Sequence, residues 1–337
     1  MNEPCYPGCV SDPDQAAFTT ELETHRRLLR VHCYRMMGSF DDAEDLVQET
    51  FLRAWRSRAT FQGRAQLGTW LYRIATNVCL DALEKRPARV LPQDVVRAVA
   101  PDDEPRATPP FRPDLPWMQP FPDRLFDPET IVASRQSVEL AFLAALQHLP
   151  PRQRAILILC DVLGWSAKEV AEMLEGTVGA VTSALQRAHD TMRTLVPSGR
   201  ADWTPLAPPS EPERELLARY MAAWEAGDAA ALTALLRDDV RWAMPPAALW
   251  FESKAMVETL FANYPMTFHG THRLAAIGAN AQLAAAAYMR PHGASEHRFS
   301  GIHLLRVEHG QVAEITTFSA ALCKGFEVPM SFSAPGV

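Results

Sequence analysis

The stretch that decides the fold is His148–Met192, HLPPRQRAILILCDVLGWSAKEVAEMLEGTVGAVTSALQRAHDTM. Ser166 and Glu169 have the spacing of a capping box, in which hydroxyl and carboxylate satisfy the free N–H groups of a helix start. Behind that cap, Ala167, Val170, Ala171 and Leu174 recur at the spacing of one buried helical face. Gly176 supplies the left-handed conformation that ends a helix sharply. Thr177 then caps a second helix whose apolar stripe is Val178, Val181, Leu185 and Ala188. Gly179, Ser183, Gln186 and Arg187 are left on the outward face, small at its start and polar further on. Two helices joined in this way read as a helix-turn-helix. A small leading turn lets the second helix sink into the major groove, where Ser, Gln and Arg reach base edges or phosphates. The same pattern also suits two packed helices of an ordinary all-α domain.

Upstream, FDDAEDLVQETFLRAWR (40–56) puts Ala43, Leu46, Val47, Thr50, Phe51, Ala54 and Trp55 on one helical face. Asp41 and Glu44 have the spacing of its N-terminal capping box. The opposite face carries Asp45, Gln48, Glu49, Arg53 and Arg56, acidic at its start. A short basic stretch, FQGRAQLGTW (61–70), leads into the helix TWLYRIATNVCLDALEKR (69–86). There Leu71, Ile74, Ala75, Val78 and Ala82 point inward, while Trp70, Arg73 and Asn77 share another face. A ring, a cation and an amide together suit single-stranded nucleic acid, where bases stack on rings and phosphates meet guanidinium groups.

In that order, DDAEDLVQETFLRAWR, FQGRAQLGTWLYRIATNVCLDALEKR and LPPRQRAILILCDVLGWSAKEVAEML…VTSALQRA resemble a bacterial sigma-70-type initiation factor of the extracytoplasmic-function group. The resemblance covers most of residues 16–86 and 131–196. It implies two all-α domains, a region 2 helical bundle and a region 4 helix-turn-helix. It implies that Asp45, Gln48, Glu49 and Arg53 dock on the clamp helices of the polymerase β′ subunit, and that the second module meets the β flap. The loop from Phe61 to Gly68, with Phe61, Gly63 and Arg64, is implied to capture an unstacked base of the −10 element together with Trp70, Arg73 and Asn77. The helix carrying Thr177, Gly179, Ser183, Gln186 and Arg187 is implied to read the −35 element. One departure is that Arg187-Ala188-His189 stands where the family usually has Arg-Ala-Arg, which puts one phosphate contact in doubt.

Charge fits this reading. The chain has 337 residues and a formal net charge of −7. Net charge is −1 over residues 1–86, −3 over 87–130, +1 over 131–200 and −4 over 201–337. A stand-alone DNA binder carries a basic footprint, because phosphate neutralisation supplies much of its affinity. An acidic chain with two DNA-reading modules makes sense when a larger partner supplies the electrostatic hold, so the free protein is expected to bind duplex DNA poorly.

Proline marks the joints. Eleven prolines fall between Pro87 and Pro128, including Ala107-Thr108-Pro109-Pro110 and FRPDLPWMQPFPD. Such a stretch cannot continue a helix and reads as a semi-extended linker. Its Phe111, Trp117, Phe121 and Phe126 point to docking on a protein surface, which the resemblance places along the path of RNA exit from polymerase. A second joint, 197–212, follows the helix-turn-helix. The cysteines look like a cytoplasmic set rather than a disulfide framework. Cys33, Cys79 and Cys160 lie within expected helices, and Cys5 and Cys9 have no partner at zinc-ligand spacing. Neither a metal nor a cofactor is expected. Met1–Val10 lacks the charged start and apolar run of a secretory leader, and no stretch stays apolar over the roughly 20 residues that span a bilayer.

Residues 213–330 open with ERELLARYMAAWEAGDAAALTALLRDDVRWAMPP. Leu216, Leu217, Tyr220, Met221 and Trp224 make an amphipathic helix ended by Gly227, and Asp228 caps a short second helix. Val240–Met244 alternates like a strand, another helix follows around Lys254–Tyr264, and the remainder alternates in strand fashion with a hairpin turn at His309-Gly310. Helices followed by a meandering antiparallel sheet argue an α+β domain. MPP at Met244–Pro246, Trp250, Gly278-Ala279-Asn280 and VAEITTF resemble the SnoaL-like branch of the nuclear-transport-factor-2 superfamily, a cone whose curved sheet encloses a pocket. The whole then resembles the sigma-G/sigma-J-like subgroup, in which such a domain follows the sigma domains directly. Trp224, Trp242, Trp250 and His303 are the candidate lining of a small-ligand pocket, although the flanks of Trp250 depart from the subgroup. Relatives of the cone include isomerases and cyclases with an Asp or His base, for which Asp238, Asp239, His269 and His303 are the candidates here. Spacing positions no acid–base pair, so the chain is expected not to be an enzyme.

The expected function is thus an alternative sigma factor that binds core RNA polymerase and promoter DNA, with its cone regulating it and an anti-sigma protein as a further potential partner. The alternative is a helix-turn-helix regulator fused to a ligand-binding or enzymatic cone. The block Asp41–Arg86 separates them, because a repressor has no use for it.

Overall fold

A computed structural model describes residues 13–61, 66–103, 110–126, 139–195 and 209–333. Cys5, Cys9, Gly63, Arg64 and most of the 197–212 joint lie outside the described residues. The first domain is α1 (Pro13–Thr24), α2 (Arg26–Met37), α3 (Phe40–Ser57) and α4 (Leu67–Leu83). The α3 stripe is as its periodicity predicts: Ala43, Leu46, Val47, Thr50 and Ala54 are buried, with Phe51 packed beside them. Its cap is not. Ser39 Oγ accepts from Asp42 N at 3.2 Å, so the cap lies two residues before Asp41 and the helix starts at Phe40. Asp42 is buried instead, facing the guanidinium groups of Arg86 and Arg89.

The second domain is α5 (Leu140–Gln147), α6 (Pro151–Leu157) with a wider turn Ile158–Val162, α7 (Ala167–Met173) and α8 (Val178–Leu195). The Ser166–Glu169 capping box is present. The left-handed residue of the turn is Glu175, at φ 52°, and not Gly176. A side chain there costs about 1 kcal/mol relative to glycine. The α8 stripe also differs from expectation. Val181, Ala184, Ala188 and Met192 are buried, Leu185 is half-buried, and Val178 is 48 % exposed. The core that α7 and α8 share begins at Val181 and leaves Val178 out.

The third domain is α9 (Glu211–Ala226), α10 (Ala229–Thr233), β1 (Leu236–Ala243), β2 (Trp250–Glu252), α11 (Lys254–Asn263), β3 (Gly270–Ala279), β4 (Gln282–Pro291), β5 (Glu296–Glu308), β6 (Gln311–Ser319) and β7 (Ser331–Ser333). Gly227 ends α9 at φ 67° and Asp228 caps α10 by accepting from Ala231 N. The sheet order is β2-β1-β6-β5-β4-β3, with β7 on β5. All pairs are antiparallel except β1 with β6. The expected all-antiparallel sheet is therefore mixed, because α11 carries the chain to the far edge and the meander returns beside β1 in its own direction.

Alternation along the strands gives this sheet two buried faces. Leu283, Ala285, Leu305, Val312 and Ile315 face the cone interior with α9 and α11. Ile277, Ala284, Ile302, Leu304 and Phe318 face the other way, into one core with α2, α3, α4 and α5. The cone and the helical domains therefore share a hydrophobic core.

The linker lies in that seam. Trp117, Met118, Phe121 and Phe126 are buried against this chain's own surface, whereas Phe111 is 59 % exposed. Gln119 N donates to Gly38 O, next to the left-handed end of α2. The β3–β4 turn closes the junction. Asn280, fully buried, accepts from Phe121 N at 2.8 Å and donates to Tyr34 Oη at 2.9 Å. Tyr34 Oη in turn donates to Gln119 O at 2.8 Å. Ala281 N donates to Asp123 Oδ1 at 2.7 Å, and burial pushes that carboxyl's pKa up to about 6.

Asn280→Ala leaves the Phe121 N–H and one side of Tyr34 Oη unpaired in a dry site, a loss of about 1–3 kcal/mol for a stranded buried group. Tyr34→Phe keeps the ring and removes the hydroxyl from the same chain of bonds. Urea unfolding of the full chain is expected to show both losses, with the double variant costing less than their sum. Full additivity would mean that the groups do not act as one network.

Candidate nucleic-acid interface

Three polar surfaces and one aromatic cluster carry the residues singled out from the sequence. On α3, Asp45 and Gln48 are exposed on the side opposite the filled apolar stripe. Glu49 is not an independent member of that face, because it accepts from Arg53 Nε at 2.8 Å. Arg53 also reaches Asp81 of α4 at 2.7 Å, and these two hydrogen bonds hold its pKa above the usual arginine value. Between them stands Leu52, 51 % exposed. Its place seven residues after Asp45 puts it on this face, an apolar side chain in an otherwise polar row.

On α4, Arg73 and Asn77 are exposed and the Trp70 ring lies 5.1 Å from that of Phe61. Phe61 thus meets Trp70 near the start of α4, and Arg73 and Asn77 follow along the same side at helical spacing. The next face of α4 is covered by the helix-turn-helix. Tyr72 meets Trp165 edge-on at 5.6 Å, and Tyr72 and Leu80 pack on the core of α7 and α8. The left-handed Glu175 places its carboxylate 2.6 Å from Arg73 Nη2. Behind this seam His32 Nε2 lies 2.9 Å from Thr76 Oγ1. Burial, aided by Arg35, lowers the His32 pKa to about 3, so the ring is neutral. Arg154 of α6 crosses the same boundary, donating to Met36 O of α2 and to Gln147 Oε1.

On α8, Thr177 Oγ1 accepts from Ala180 N at 3.2 Å, so the threonine is the expected cap. Gly179, Ser183, Gln186 and Arg187 are all exposed, and Gln186 donates to Asp190 at 3.2 Å. His189, which stands where a second arginine is usual, turns inward and pairs with Asp161 at 2.6 Å. It therefore adds no outward cation to this face.

In the cone, Trp224, Trp242 and His303 come together. Trp224 lies 5.9 Å from Trp242 and 5.0 Å from His303, ring centre to ring centre. Phe261 and His272, which spacing did not single out, complete the group at 5.6 Å from Trp242 and 5.1 Å from Trp224. These are edge-to-face and tilted packings of an aromatic interior. His303 Nδ1 is 2.9 Å from Tyr220 Oη, and burial pushes the imidazole down to about 3, so it stays neutral. Trp250 is not part of this cluster. Its Nε1 donates to Val96 O, and its carbonyl accepts from Val99 N, so it holds the linker against β2. Asp238 and Asp239 are exposed on β1, with Asp239 paired to Arg237 at 2.7 Å, and His269 is exposed beyond α11. The four candidate bases are not assembled around one point. Among the described residues there is no group of His, Cys, Asp or Glu suited to a metal, and no helix is long and apolar enough to cross a membrane.

Comparison with known proteins agrees with this division. The family model for sigma-70 region 2 matches residues 22–88, that for sigma-70 region 4 matches 139–191, and that for a SnoaL-like domain matches 217–315. The chain is 44 % identical over 313 residues to the ECF RNA polymerase sigma factor SigG of Mycobacterium tuberculosis, covering 91 % of this chain and 82 % of that protein. It is 34 % identical over 187 residues to ECF sigma factor SigE of Mycolicibacterium smegmatis, covering 53 % of this chain and 63 % of that one. Among solved structures, the crystal structure of the Mycobacterium tuberculosis ECF sigma factor SigJ shares the fold, with a TM-score of 0.59 at 22 % identity, over 89 % of this chain and 96 % of that one. The chain belongs to the extracytoplasmic-function group of RNA polymerase sigma factors, initiation factors for core polymerase and promoter DNA.

Proposed function

We propose that the three polar faces divide the work of initiation. The face of α3 at Asp45, Gln48 and Leu52 docks on the β′ clamp helices, with the Glu49–Arg53 pair at its edge. The loop that ends at Gly68, including Gly63 and Arg64, works with Phe61, Trp70, Arg73 and Asn77 to hold an unstacked −10 base. The exposed side of α8, from Thr177 and Gly179 to Ser183, Gln186 and Arg187, reads the −35 element while its domain rests on the β flap. The observation that carries the first assignment is the exposed row on α3 opposite a complete apolar stripe. The fold has no need of Asp45 or Gln48.

The cone regulates this machinery by holding the linker and the two modules in their closed arrangement. Support comes from the Asn280 junction and the Trp250 contact with Val96 and Val99, while the Arg73–Glu175 pair joins the two modules directly. Each must be given up before the linker leaves the seam and both modules meet DNA. A ligand or an anti-sigma protein shifts that balance only by its difference in affinity for the two arrangements. The aromatic interior around Trp224, Trp242 and His303 is where a small ligand acts on the cone, and Trp250 acts through the linker.

Asp45→Arg is expected to weaken assembly with core polymerase at least tenfold while leaving the melting temperature nearly unchanged, as measured by fluorescence anisotropy and calorimetry. Equal affinity would remove the docking assignment. Arg187→Ala should impair −35 recognition by about 1–3 kcal/mol, the worth of a good base contact. Trp70→Ala and Asn77→Ala should impair strand opening, by about 1–3 kcal/mol per stacked base. Permanganate footprints on intact and pre-melted promoters separate the two, since only the second defect is relieved by pre-melting. Glu175→Gly removes both the backbone strain and the carboxylate on Arg73. A single-stranded −10 oligonucleotide should then bind the free chain about threefold tighter, as expected from losing an exposed ion pair worth ~0.5–1 kcal/mol. Unchanged binding would mean that the contact does not screen Arg73.

A further inference from the structure

The leading turn of α8 contains two residues that the protein's own packing does not explain. Val178 falls on the apolar stripe by periodicity, yet it is 48 % exposed. Gly179 follows it inside the helix, where glycine costs about 1 kcal/mol relative to alanine. Its φ is not positive, and a Cβ built there meets no atom within 4 Å. Neither turn geometry nor internal crowding therefore calls for glycine at this position. An exposed branched apolar side chain beside an unneeded glycine suits a surface that something external approaches closely. Thr182 and Ser183, one turn on, are exposed on the same side and small.

We propose that Val178 is a specificity-determining residue that contacts the 5-methyl group of a thymine in the −35 element, with Gly179 providing the clearance. This rests on the assignment of α8 to the −35 element. Major-groove thymine is the one base edge that offers an apolar group, and apolar side chains recognise it by contact. Ser183, Gln186 and Arg187 are hydrogen-bonding groups and would read acceptors, donors or phosphates. Val178 is the large exposed apolar side chain in the leading half of α8, the other being Leu195 at its far end.

The test uses holoenzyme reconstituted from core polymerase and the full chain, on a promoter selected by that holoenzyme from a library randomised in the −35 element. Each thymine of the selected element is replaced in turn by deoxyuridine, which removes one methyl and leaves every hydrogen-bonding group in place. For the unaltered chain, one position is expected to lose about fourfold in affinity, the equivalent of ~0.8 kcal/mol for one buried methyl-sized group. Val178→Ala should bind the thymine promoter more weakly and lose most of that discrimination, whereas Val178→Thr, which keeps a methyl, should retain it. Gly179→Ala should raise the melting temperature and lower affinity, opposite signs that a purely structural role does not produce. A selected element without thymine, or an equal deoxyuridine penalty in the unaltered chain and in Val178→Ala, would overturn the proposal. Arg187→Ala distinguishes the underlying assignment: if it too leaves −35 preference unchanged, α8 is not the reader at all. If it matters while the deoxyuridine scan is flat, only the role of Val178 falls.

Discussion

Asn280 ties together three segments that lie far apart in sequence. Its side chain accepts from the linker at Phe121 and donates to Tyr34 of α2, while its backbone N–H donates to Phe121 O. A buried amide has several hydrogen-bonding sites to satisfy, and leaving one empty in a dry interior costs more than a made bond gains. The β3–β4 turn, the linker and α2 are consequently held in a single relative arrangement. Around this point the Phe121 ring packs against those of Tyr34, Phe126 and Phe40, at 4.6, 4.9 and 5.8 Å between centres. The polar bonds set the register, and the aromatic contacts supply the area.

That junction changes what the extra domain is. A domain joined only by a tether acts through effective concentration, and a weak docking surface then suffices to bias the rest. Here the side of the sheet bearing Ile277, Ala284, Ile302, Leu304 and Phe318 is part of the core that α2, α3, α4 and α5 also build. Removing the cone would uncover those helices and the buried linker aromatics together. The acidic balance of the chain fits such a closed form, since Arg73, the cation assigned to the −10 base, is already occupied by Glu175.

Much of this was legible in the residues. Periodicity located the buried stripe of α3, the Ser166–Glu169 box located the start of α7, and Gly227 and Asp228 located the α9–α10 corner. These signals are local, and local spacing determines them. The failures are of another kind. Asp41 had cap spacing, but Ser39 won because Asp41 meets Gln119 and Lys324 from other parts of the chain. Gly176 was the natural left-handed residue, yet Glu175 takes that place with its carboxylate on Arg73. Trp250 was grouped with Trp224 by residue type, although strand position sends it to the linker. Asn280 stood out in the sequence only as part of Gly278-Ala279-Asn280, a piece of the SnoaL-like resemblance. Its partners are over a hundred residues away, and no spacing rule reaches them.

The two faces of the sheet also bear on how a signal inside the cone could reach the DNA-reading helices. His303 faces the aromatic interior and its neighbours Ile302 and Leu304 face the shared core, so the path between the two is one residue long. A rearrangement of the interior that moved β5 at His303 would move both neighbours against the helical domains. Packed cores respond to such a shift by switching between arrangements rather than deforming gradually. The demand on any such signal is set by arithmetic: driving a closed population of ninety-nine in a hundred to the reverse takes ~5.5 kcal/mol of differential binding. A single small ligand is hard pressed to supply that alone. Core polymerase, a far larger partner than a small ligand, has more interaction to draw on. The cone is therefore best placed to set how much of that binding energy is consumed in opening the chain.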